Sequence, residues 1–315
     1  MTTIAAGGFA ALESCQICGS RALAPVHELI FDLAIYETQD PDLAAYTGAR
    51  LELLRCAGCG FAQPAALPVL PRFFDRLYDQ RWSEDWIRSE FEAGYKDAIF
   101  RGILGALEAR LAPSRRRLLD VGAHAGRFIA FAQARGWRAE GLELNPQTAA
   151  YAASRTGAGV RQLNVHQVGI DTADYDAITL TDVLEHVPDP VAVLTRTAAL
   201  LASGGWVAVK VPSGPGQLRK ERWRGRLIRA YRPTLADNLV HVNHFSPASL
   251  RLALERTGFT DITVAPGAPE MPEGAGLRGR ASRLLRRALH LAALAAPGGV
   301  NLPVTLNLQA YARRP

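Results

Sequence analysis

The sequence predicts an α/β protein, in which a mostly parallel sheet is covered by helices on both faces and preceded by a small cysteine-bearing module. Strand and helix patterns alternate from Arg115 onward, and a glycine-containing turn joins the first of these strands to its helix. All four cysteines lie in the first fifth of the chain. Such alternation is typical of parallel sheets, because their strands are connected by helical crossovers.

The size and composition suit a soluble enzyme-sized protein. The chain has 315 residues, of which 48% are hydrophobic, enough for one large domain and a small one. The formal net charge of +6 favours an anionic partner without identifying it. No secretory signal is visible, and the apolar stretch at 288–296 is too short to cross a bilayer, which needs about 20 residues. We therefore expect a cytoplasmic protein.

The cysteines form two pairs at equal spacing, each followed by glycine: Cys15-Gln-Ile-Cys18-Gly and Cys56-Ala-Gly-Cys59-Gly. Each pair can hold a metal from one tight turn, and the glycine lets the amides of the turn face sulfur. Four thiolates make a closed tetrahedral site, so the sequence predicts a structural zinc ion. The loop between the pairs is acidic, so we interpret it as a substrate-side lid or a dimer element, with nucleic-acid binding disfavoured.

The domain boundaries follow changes in this pattern. We predict a zinc-binding domain over 1–72, a helical linker over 73–112, and a ligand-binding α/β domain over 113–315. A proline-marked exit, ALPVLPRFFDRLYDQRW, begins the helical stretch, which continues to about Leu111 and is broken by Pro113.

The α/β domain alternates strands and helices in a regular order. Proline at the first turn marks two helices, and Ser246 is an N-cap followed by Pro247. The predicted elements are the strand RRLLDV, helix GRFIAFAQARG, strand WRAEGLEL, helix PQTAAYAASRTG, strands GVRQLNV and YDAITLTD, helix DPVAVLTRTAALLASGG, strand WVAVKVP, helix SPASLRLALERTGF, and strands DITVAP and VTLNLQAYARR.

Two insertions, at about 213–240 and 267–303, interrupt this order. The first is rich in arginine, whose guanidinium fork suits phosphate, and indicates a phosphate-bearing substrate; a solvated loop is the alternative. Its basic residues are Arg219, Lys220, Arg222, Arg224, Arg226, Arg229 and Arg232. The second is an amphipathic helix that either packs on the sheet or lies on an anionic membrane at its inner face. Its apolar face comprises Leu277, Ala281, Leu284, Leu285, Ala288 and Leu291.

The turn after the first strand, in LLDVGAHAGRF, is typical of a cofactor loop. In a parallel sheet, ligands bind at the carboxyl ends of the strands. Gly122 allows a positive φ, Gly126 allows close packing of helix on strand, and Asp120 can accept hydrogen bonds from loop amides or an ammonium group. Glu143 ends the second strand and can accept hydrogen bonds from both ribose hydroxyls. Together the loop and the acid favour an adenosine-containing ligand over a plain structural turn.

Over its last two hundred residues the chain resembles the class I S-adenosylmethionine-dependent methyltransferases. Asp120, Gly122 and Gly126 match the family's acid-x-Gly-x-Gly-x-Gly loop, with His124 in the place of the middle glycine. Glu143 matches the acid that binds ribose, and TDVLEHVPDP, from Thr181, matches the motif after the fourth strand. HVNHFSPASLRLALERTGF, which begins at position 241, resembles the segment that follows the fifth strand.

The resemblance implies a Rossmann-like sheet of seven strands, with the last one antiparallel and inserted beside the fifth. It also implies S-adenosylmethionine as cofactor, with its site formed by Asp120, Gly122, Ala123, His124, Gly126, Glu143, Thr181 and Asp182. Asn164 or Gln167 would take the place of the family's adenine-binding acid. The N-terminal cysteines resemble those of a subgroup that includes C-methyltransferases of nucleotide-linked deoxysugars.

Methyl transfer to a hydroxyl or a carbon acid needs a base. Glu185, His186, His241 and His244 are candidates because they follow strands at the ligand-binding edge. Structural alternatives stay open: His186 can cap the turn before a proline, and His241 and His244 can be structural or form a His-x-x-His metal pair.

The sequence therefore predicts a zinc-containing methyltransferase. Its acceptor is a small molecule: a sugar, a nucleotide-linked or lipid-linked glycan, or a secondary metabolite. The alternatives are a non-catalytic binding protein that retains the fold, and a nucleic-acid methyltransferase or binder.

Overall fold

The computed structural model describes residues 8–79, 83–169, 174–228, 241–271, 276–302 and 304–315. Two arginines of the first basic insertion, Arg229 and Arg232, lie outside the described residues.

The N-terminal module is built on short antiparallel strands. Its elements are β1 (Phe9–Ala11), β2 (Leu23–Ile30), α1 (Pro41–Ala44), β3 (Arg50–Cys56), β4 (Ala62–Pro64) and β5 (Ala66–Pro68). β2, β3 and β4 form one sheet, and β1 pairs with β5. The segment between the cysteine pairs was predicted as a loop, and this is wrong for most of it. In β3, alternate residues such as Leu51 and Leu53 are buried, which is the period of a half-buried strand.

Three helices connect this module to the main sheet: α2 (Phe73–Asp79), α3 (Glu84–Glu92) and α4 (Asp97–Glu108). α2 packs into the N-terminal core, where Phe73 contacts Tyr46 at 5.2 Å between ring centroids. α4 instead packs on the main sheet through Ile103 and Leu107, which are fully buried. The connecting helices therefore join the cores of the two parts.

The main sheet contains seven strands in the described part of the chain. They are β6 (Arg117–Val121), β7 (Arg138–Leu142), β8 (Val160–Arg161), β9 (Tyr175–Thr181), β10 (Leu201–Pro212), β11 (Thr260–Gly267) and β12 (Asn307–Arg313). Their order is β11-β12-β10-β9-β6-β7-β8, and β12 runs antiparallel to both neighbours. This confirms the predicted sheet, including the last strand beside the fifth.

The third strand of the α/β domain, β8, is much shorter than predicted. Asn164 accepts from the amide of His166 and Gln167 accepts from the amide of Asn164, so the chain turns into a short 3₁₀ helix. The amide group of Asn164 also donates to Asp75 in α2. Because both side chains are used locally, the structure does not support Asn164 or Gln167 as adenine ligands.

The described residues contain six further helices: α5 (Arg127–Gln133), α6 (Pro146–Thr156), α7 (Pro190–Leu200), α8 (Gly214–Leu227), α9 (Pro247–Arg256) and α10 (Leu277–Ala295). The predicted cap at Ser246 is confirmed, since its side chain accepts from the amide of Ser249. Gly126 does allow close packing, but against another helix rather than a strand. A Cβ at Gly126 would lie 3.0 Å from that of Ala152 in α6.

The amphipathic helix α10 stands largely free of the sheet. Leu277, Leu284 and Leu285 are 86%, 66% and 60% exposed, and among its described side chains only Ala293 is buried. The expectation that its apolar face packs on the sheet is therefore wrong. Within the described ranges, none of the helices has the length and apolar character needed to span a bilayer.

Candidate active site

The glycine loop after β6 is held in a left-handed conformation at several positions. Gly122, His124 and Gly126 have φ values of 74°, 49° and 83°. The amides of Gly122 and Ala123 both donate to the carbonyl of Leu142, which ties the loop to the end of β7. A Cβ at Gly122 would lie only 2.9 Å from a methyl group of Val183. Glycine is therefore required at this position both for its positive φ and for lack of space.

A cavity of about 450 Å³, including its mouth, opens against this loop. Its wall includes four of the predicted cofactor residues: Gly122, Ala123, His124 and Thr181. Glu90 of α3 also lines the cavity, together with Tyr95 and Lys96 from the turn before α4. The hydroxyl of Thr181 is buried and has no hydrogen-bond partner among the described residues. A bound ligand would satisfy it, so the cavity fits S-adenosylmethionine.

Glu143 supports the loop from the other side. One carboxylate oxygen accepts from the amide of His124 at 2.9 Å, and the other accepts from the amide of Asn145 at 3.0 Å. Burial raises the pKa of Glu143, while these two amides act to lower it. Each carboxylate oxygen can accept more than one hydrogen bond, so ribose hydroxyls could still bind here.

His124 forms part of the cavity wall. Its ring packs edge-on against Trp86 of α3, with 5.0 Å between centroids. Burial, with a smaller effect from Lys96, lowers the pKa of His124 to about 4, so the imidazole is neutral at pH 7.

Asp120 lies beneath the loop and is 3% exposed. It accepts a hydrogen bond from the hydroxyl of Thr179 at 2.6 Å, rather than from the loop amides that the sequence suggested. Burial raises the pKa of Asp120 to about 7.

A partly buried charge network begins at Lys96 in the cavity wall. Asp182 pairs with Lys96 at 2.9 Å and with Lys210, which also pairs with Glu270 at 3.1 Å. Burial opposes ionisation of Asp182, but the two lysines outweigh it and hold the pKa of the carboxyl far below its usual range. Sequence reasoning missed both lysines. Lys210 left a signal, because it is the one charged residue in the apolar strand WVAVKVP.

Three predicted catalytic residues come together beyond this network. His186 and His241 have ring centroids 4.6 Å apart, and Nε2 of His186 lies 4.0 Å from a carboxylate oxygen of Glu185. Glu185 is 1% exposed, and neither of its carboxylate oxygens has a hydrogen-bond partner in the described part of the chain. Burial first, and then the neighbouring Asp182, raise the pKa of Glu185 well above its usual value.

The Nδ1 atoms of His186 and His241 each contact a polar side chain. The hydroxyl of Tyr78 in α2 lies 2.8 Å from Nδ1 of His186, and the amide of Gln217 in α8 lies 2.8 Å from Nδ1 of His241. Sequence reasoning missed Tyr78 and Gln217, since nothing in their local patterns marks them. The turn that His186 was expected to cap is bridged instead by Asn243, which donates to two of its carbonyls.

His244 lies outside this three-residue cluster and is held by the N-terminal module. It is 2% exposed, and burial lowers its pKa to about 3. Its backbone pairs with that of Ala62 in the N-terminal module, at 2.9 and 3.0 Å. Its Nδ1 lies 3.1 Å from Gln217, which therefore contacts both His241 and His244. The described contacts thus do not support a His-x-x-His metal pair.

The four cysteines form a compact sulfur cluster. The Sγ atoms of Cys15 and Cys59 are 3.6 Å apart, those of Cys18 and Cys56 are 3.4 Å apart, and all four lie within 4.8 Å of one another. A disulfide would need about 2.05 Å, whereas a tetrahedron of sulfurs around zinc has edges of about 3.8 Å. Against the effect of burial, amides of its own turn and the Cys18 thiol lower the pKa of Cys56 to about 7. This donor set fits structural zinc.

The cysteine turns are hydrogen-bonded to the segment that follows His241 and His244. The hydroxyl of Ser246 donates to the carbonyl of Cys59 at 2.6 Å, and the rings of Phe61 and Phe245 lie 5.0 Å apart. Arg256, at the end of α9, donates to the carbonyl of Ile17 in the first cysteine turn. The N-terminal module therefore supports the loop that carries His241 and His244.

Comparisons with known proteins agree with this geometry. A family model described as a methyltransferase domain matches residues 93–264, more than half of the chain. The chain is similar to the ubiquinone biosynthesis O-methyltransferase of Paracidovorax citrulli, with 32% identity over 142 residues, which are 42% of this chain and 57% of that protein. The chain thus spans little more than half the length of this curated relative.

Two solved structures share the fold. A S-adenosylmethionine-dependent methyltransferase from Thermotoga maritima has a TM-score of 0.50 and 14% identity, covering 77% of this chain and 100% of that one. The plantazolicin methyltransferase BpumL, in complex with SAH, also has a TM-score of 0.50, with 10% identity and coverage of 76% and 93%. Together with the matching family, these findings favour an enzyme over a non-catalytic binding protein.

Proposed function

The chain belongs to the S-adenosylmethionine-dependent methyltransferases, and from that premise we propose that it methylates a hydroxyl or an acidic carbon of a small, anionic acceptor. One observation carries this proposal. Glu185, His186 and His241 form a cluster just after β9, whose last residue lines the cavity. The buried carboxylate of Glu185 has no hydrogen-bond partner among the described residues. An acceptor with an ionisable proton would complete this cluster.

The residues of the chain would divide the work between two sides. S-adenosylmethionine, when bound, supplies a methyl group already activated on a sulfonium. Glu143 would hold the ribose hydroxyls, and Thr181 would bind the cofactor through its unsatisfied hydroxyl. The cluster around Glu185 would orient the acceptor and withdraw its proton as the methyl group arrives. Alignment of the two reactants can contribute several kcal/mol.

The class of acceptor is inferred from the rim of the site. α8 begins directly after β10, and its residue Gln217 contacts both His241 and His244. Farther along the same helix, the basic residues Lys220, Arg222 and Arg226 are exposed. Arginine binds phosphate through paired donors, so this helix favours a nucleotide-linked or lipid-linked acceptor.

A peripheral membrane contact is the second part of the proposal. α10 combines exposed leucines with five arginines and no acidic residue, which suits an anionic phospholipid surface. Co-sedimentation with phosphatidylglycerol vesicles tests this. We expect binding that falls with salt and in Leu284→Ser/Leu285→Ser, and binding equal to that for neutral vesicles would contradict it.

The methyltransferase proposal is tested by incubating the chain with labelled S-adenosylmethionine and panels of sugar nucleotides, polyprenyl-linked glycans and phenols. We expect label transfer to an acceptor of one of these classes and its loss in His186→Ala. Cofactor binding in the His186→Ala variant should be unchanged, as measured by calorimetry. Label transfer that persists in His186→Ala would overturn the assignment of the acceptor side.

A further inference from the structure

The cluster of Glu185, His186 and His241 has the donor set of a metal site. One carboxylate and two imidazoles each offer a ligand atom, and these atoms all lie within 4.8 Å of one another. Two histidines with one carboxylate are a common set for divalent transition metals, as in catalytic zinc and non-haem iron sites. This group is separate from the four cysteines, which form a closed sulfur site.

The carboxylate is the second, independent observation. A buried carboxylate without hydrogen bonds is costly, because it loses hydration without gaining a partner. Lys210 stabilises the Glu185 carboxylate only in part, since it is within hydrogen-bonding distance of Asp182, and the pKa of Glu185 stays well above its usual value. A cation at the centre of the cluster would offset the buried charge of Glu185 through one of its oxygens and leave the other oxygen free.

The histidines also have the outer contacts that metal ligands usually show. In metal sites, the ring nitrogen that does not bind the ion is held by a polar group, which fixes the orientation of the ring. Here Tyr78 contacts Nδ1 of His186 and Gln217 contacts Nδ1 of His241. Rotation of the Gln217 amide by 180° exchanges its donor and acceptor, so either tautomer of His241 can be accommodated. Nε2 of His186 lies 4.0 Å from the Glu185 carboxylate, a separation that two ligands of one metal ion can have.

We propose that Glu185, His186 and His241 bind a divalent transition-metal ion that coordinates a hydroxyl group of the acceptor. This deepens the proposed function, on which it rests, and narrows the acceptor to a hydroxyl compound. The coordinated O–H bond breaks, and the proton passes to the free oxygen of Glu185. The O–CH₃ bond then forms as the S–CH₃ bond of the sulfonium breaks, leaving a neutral thioether.

The test measures metal binding directly, with the cysteine site already loaded with zinc. We expect wild-type protein to hold one additional Co²⁺ or Mn²⁺ ion per chain, detected by elemental analysis and calorimetry. Cobalt bound there should show visible bands without the thiolate charge-transfer band of a cysteine site. Glu185→Gln should weaken the binding of this additional ion at least about 100-fold, as expected for loss of a ligand. Gln217→Ala should weaken it about 10-fold, as expected for loss of a side chain that orients a ligand.

Two controls separate the possible outcomes. His166→Gln changes an exposed histidine outside the cluster and should retain the additional ion. Zinc content and thermal unfolding show whether each variant is folded. Absence of an additional ion in wild-type protein, or an ion unaffected by both Glu185→Gln and His241→Gln, would overturn the proposal. Methyl transfer that continues when the chain holds a single zinc ion, that of the cysteine site, and no other metal would overturn this inference alone. Failure to bind S-adenosylmethionine would overturn the proposed function.

Discussion

Two carboxylates at the same edge of the sheet have opposite environments. Both carboxylate oxygens of Glu143, which follows β7, accept hydrogen bonds from backbone amides. One of these amides is that of His124 in the glycine loop, and the other is that of Asn145. Both oxygens of Glu185, after β9, are buried without a described partner. Glu143 is thus complete before any ligand binds and shapes a binding site, whereas Glu185 is incomplete and suits chemistry. The surroundings of two carboxyl groups can push their pKa values apart and so give them different chemical roles.

The largest effect is expected on the side of Glu185. His186→Ala should lower kcat by about 10²–10⁴-fold, because it removes the group that assists proton withdrawal. The dissociation constant of S-adenosylmethionine should stay unchanged, since His186 is not among the residues that line the cofactor cavity. Steady-state kinetics and calorimetry measure the two quantities, with His166→Ala as control. A shared loss of kcat and cofactor affinity would break the division between the two sides.

Asp120, beneath the loop, should make stability depend on pH. Its pKa is about 7 in the folded chain and about 4 when unfolded, so its contribution is full below pH 4 and is lost as the pH rises through 7. The loss is at most about 4 kcal/mol at 1.36 kcal/mol per pH unit. Urea unfolding of the ligand-free chain between pH 5 and 8 measures it. Asp120→Asn should flatten this slope, and an equal slope in the variant would place the titration elsewhere.

Glu143→Ala should raise the dissociation constant of S-adenosylmethionine about 100-fold. Two hydrogen bonds to a charged acceptor contribute about 3 kcal/mol together, and the loop also loses the acceptor for its His124 amide. Glu140→Ala is the matched control, because Glu140 lies in the same strand but pairs with surface arginines. Calorimetry giving equal affinities for the two variants would contradict the role of Glu143.

The smallest expected effect is on the free energy of unfolding, and it differs between Glu143 and Glu185. Glu143→Gln should destabilise the ligand-free chain by about 1–3 kcal/mol, because the new amide group cannot accept one of the two backbone hydrogen bonds. Glu185→Gln should change the free energy of unfolding by less than about 1 kcal/mol, because no described hydrogen bond of the side chain is lost. Urea midpoints at pH 7 measure both. A larger loss in Glu185→Gln would show that its carboxylate has a structural partner.

The features that could be predicted from the sequence are those that depend on residues adjacent in the chain. The cysteine turns, the cap at Ser246 and the positive φ at Gly122 each follow from a few adjacent positions. The strand order could also be predicted, because a parallel sheet and the resemblance to a known family restrict the topology.

Features that depend on distant contacts could not be predicted. Tyr78 reaches His186 from 108 positions away, and no local pattern indicates this. His241 and His244 have the spacing of a metal pair, yet His241 joins Glu185 and His186, whereas the backbone of His244 pairs with Ala62. The third strand ended early because a side-chain capping interaction at Asn164 competed with its β pattern.

The pairing of Ala62 with His244 has a practical consequence for protein engineering. The cysteine-bearing region cannot be removed as an independent appendage, although its strands form a separate small sheet. Cutting the chain at residue 72 would strip the backbone partner from His244 and uncover the ring of Phe245. The shortened protein would then carry an exposed aromatic surface beneath the loop that carries His241 and His244. Expression trials should therefore retain the N-terminal module.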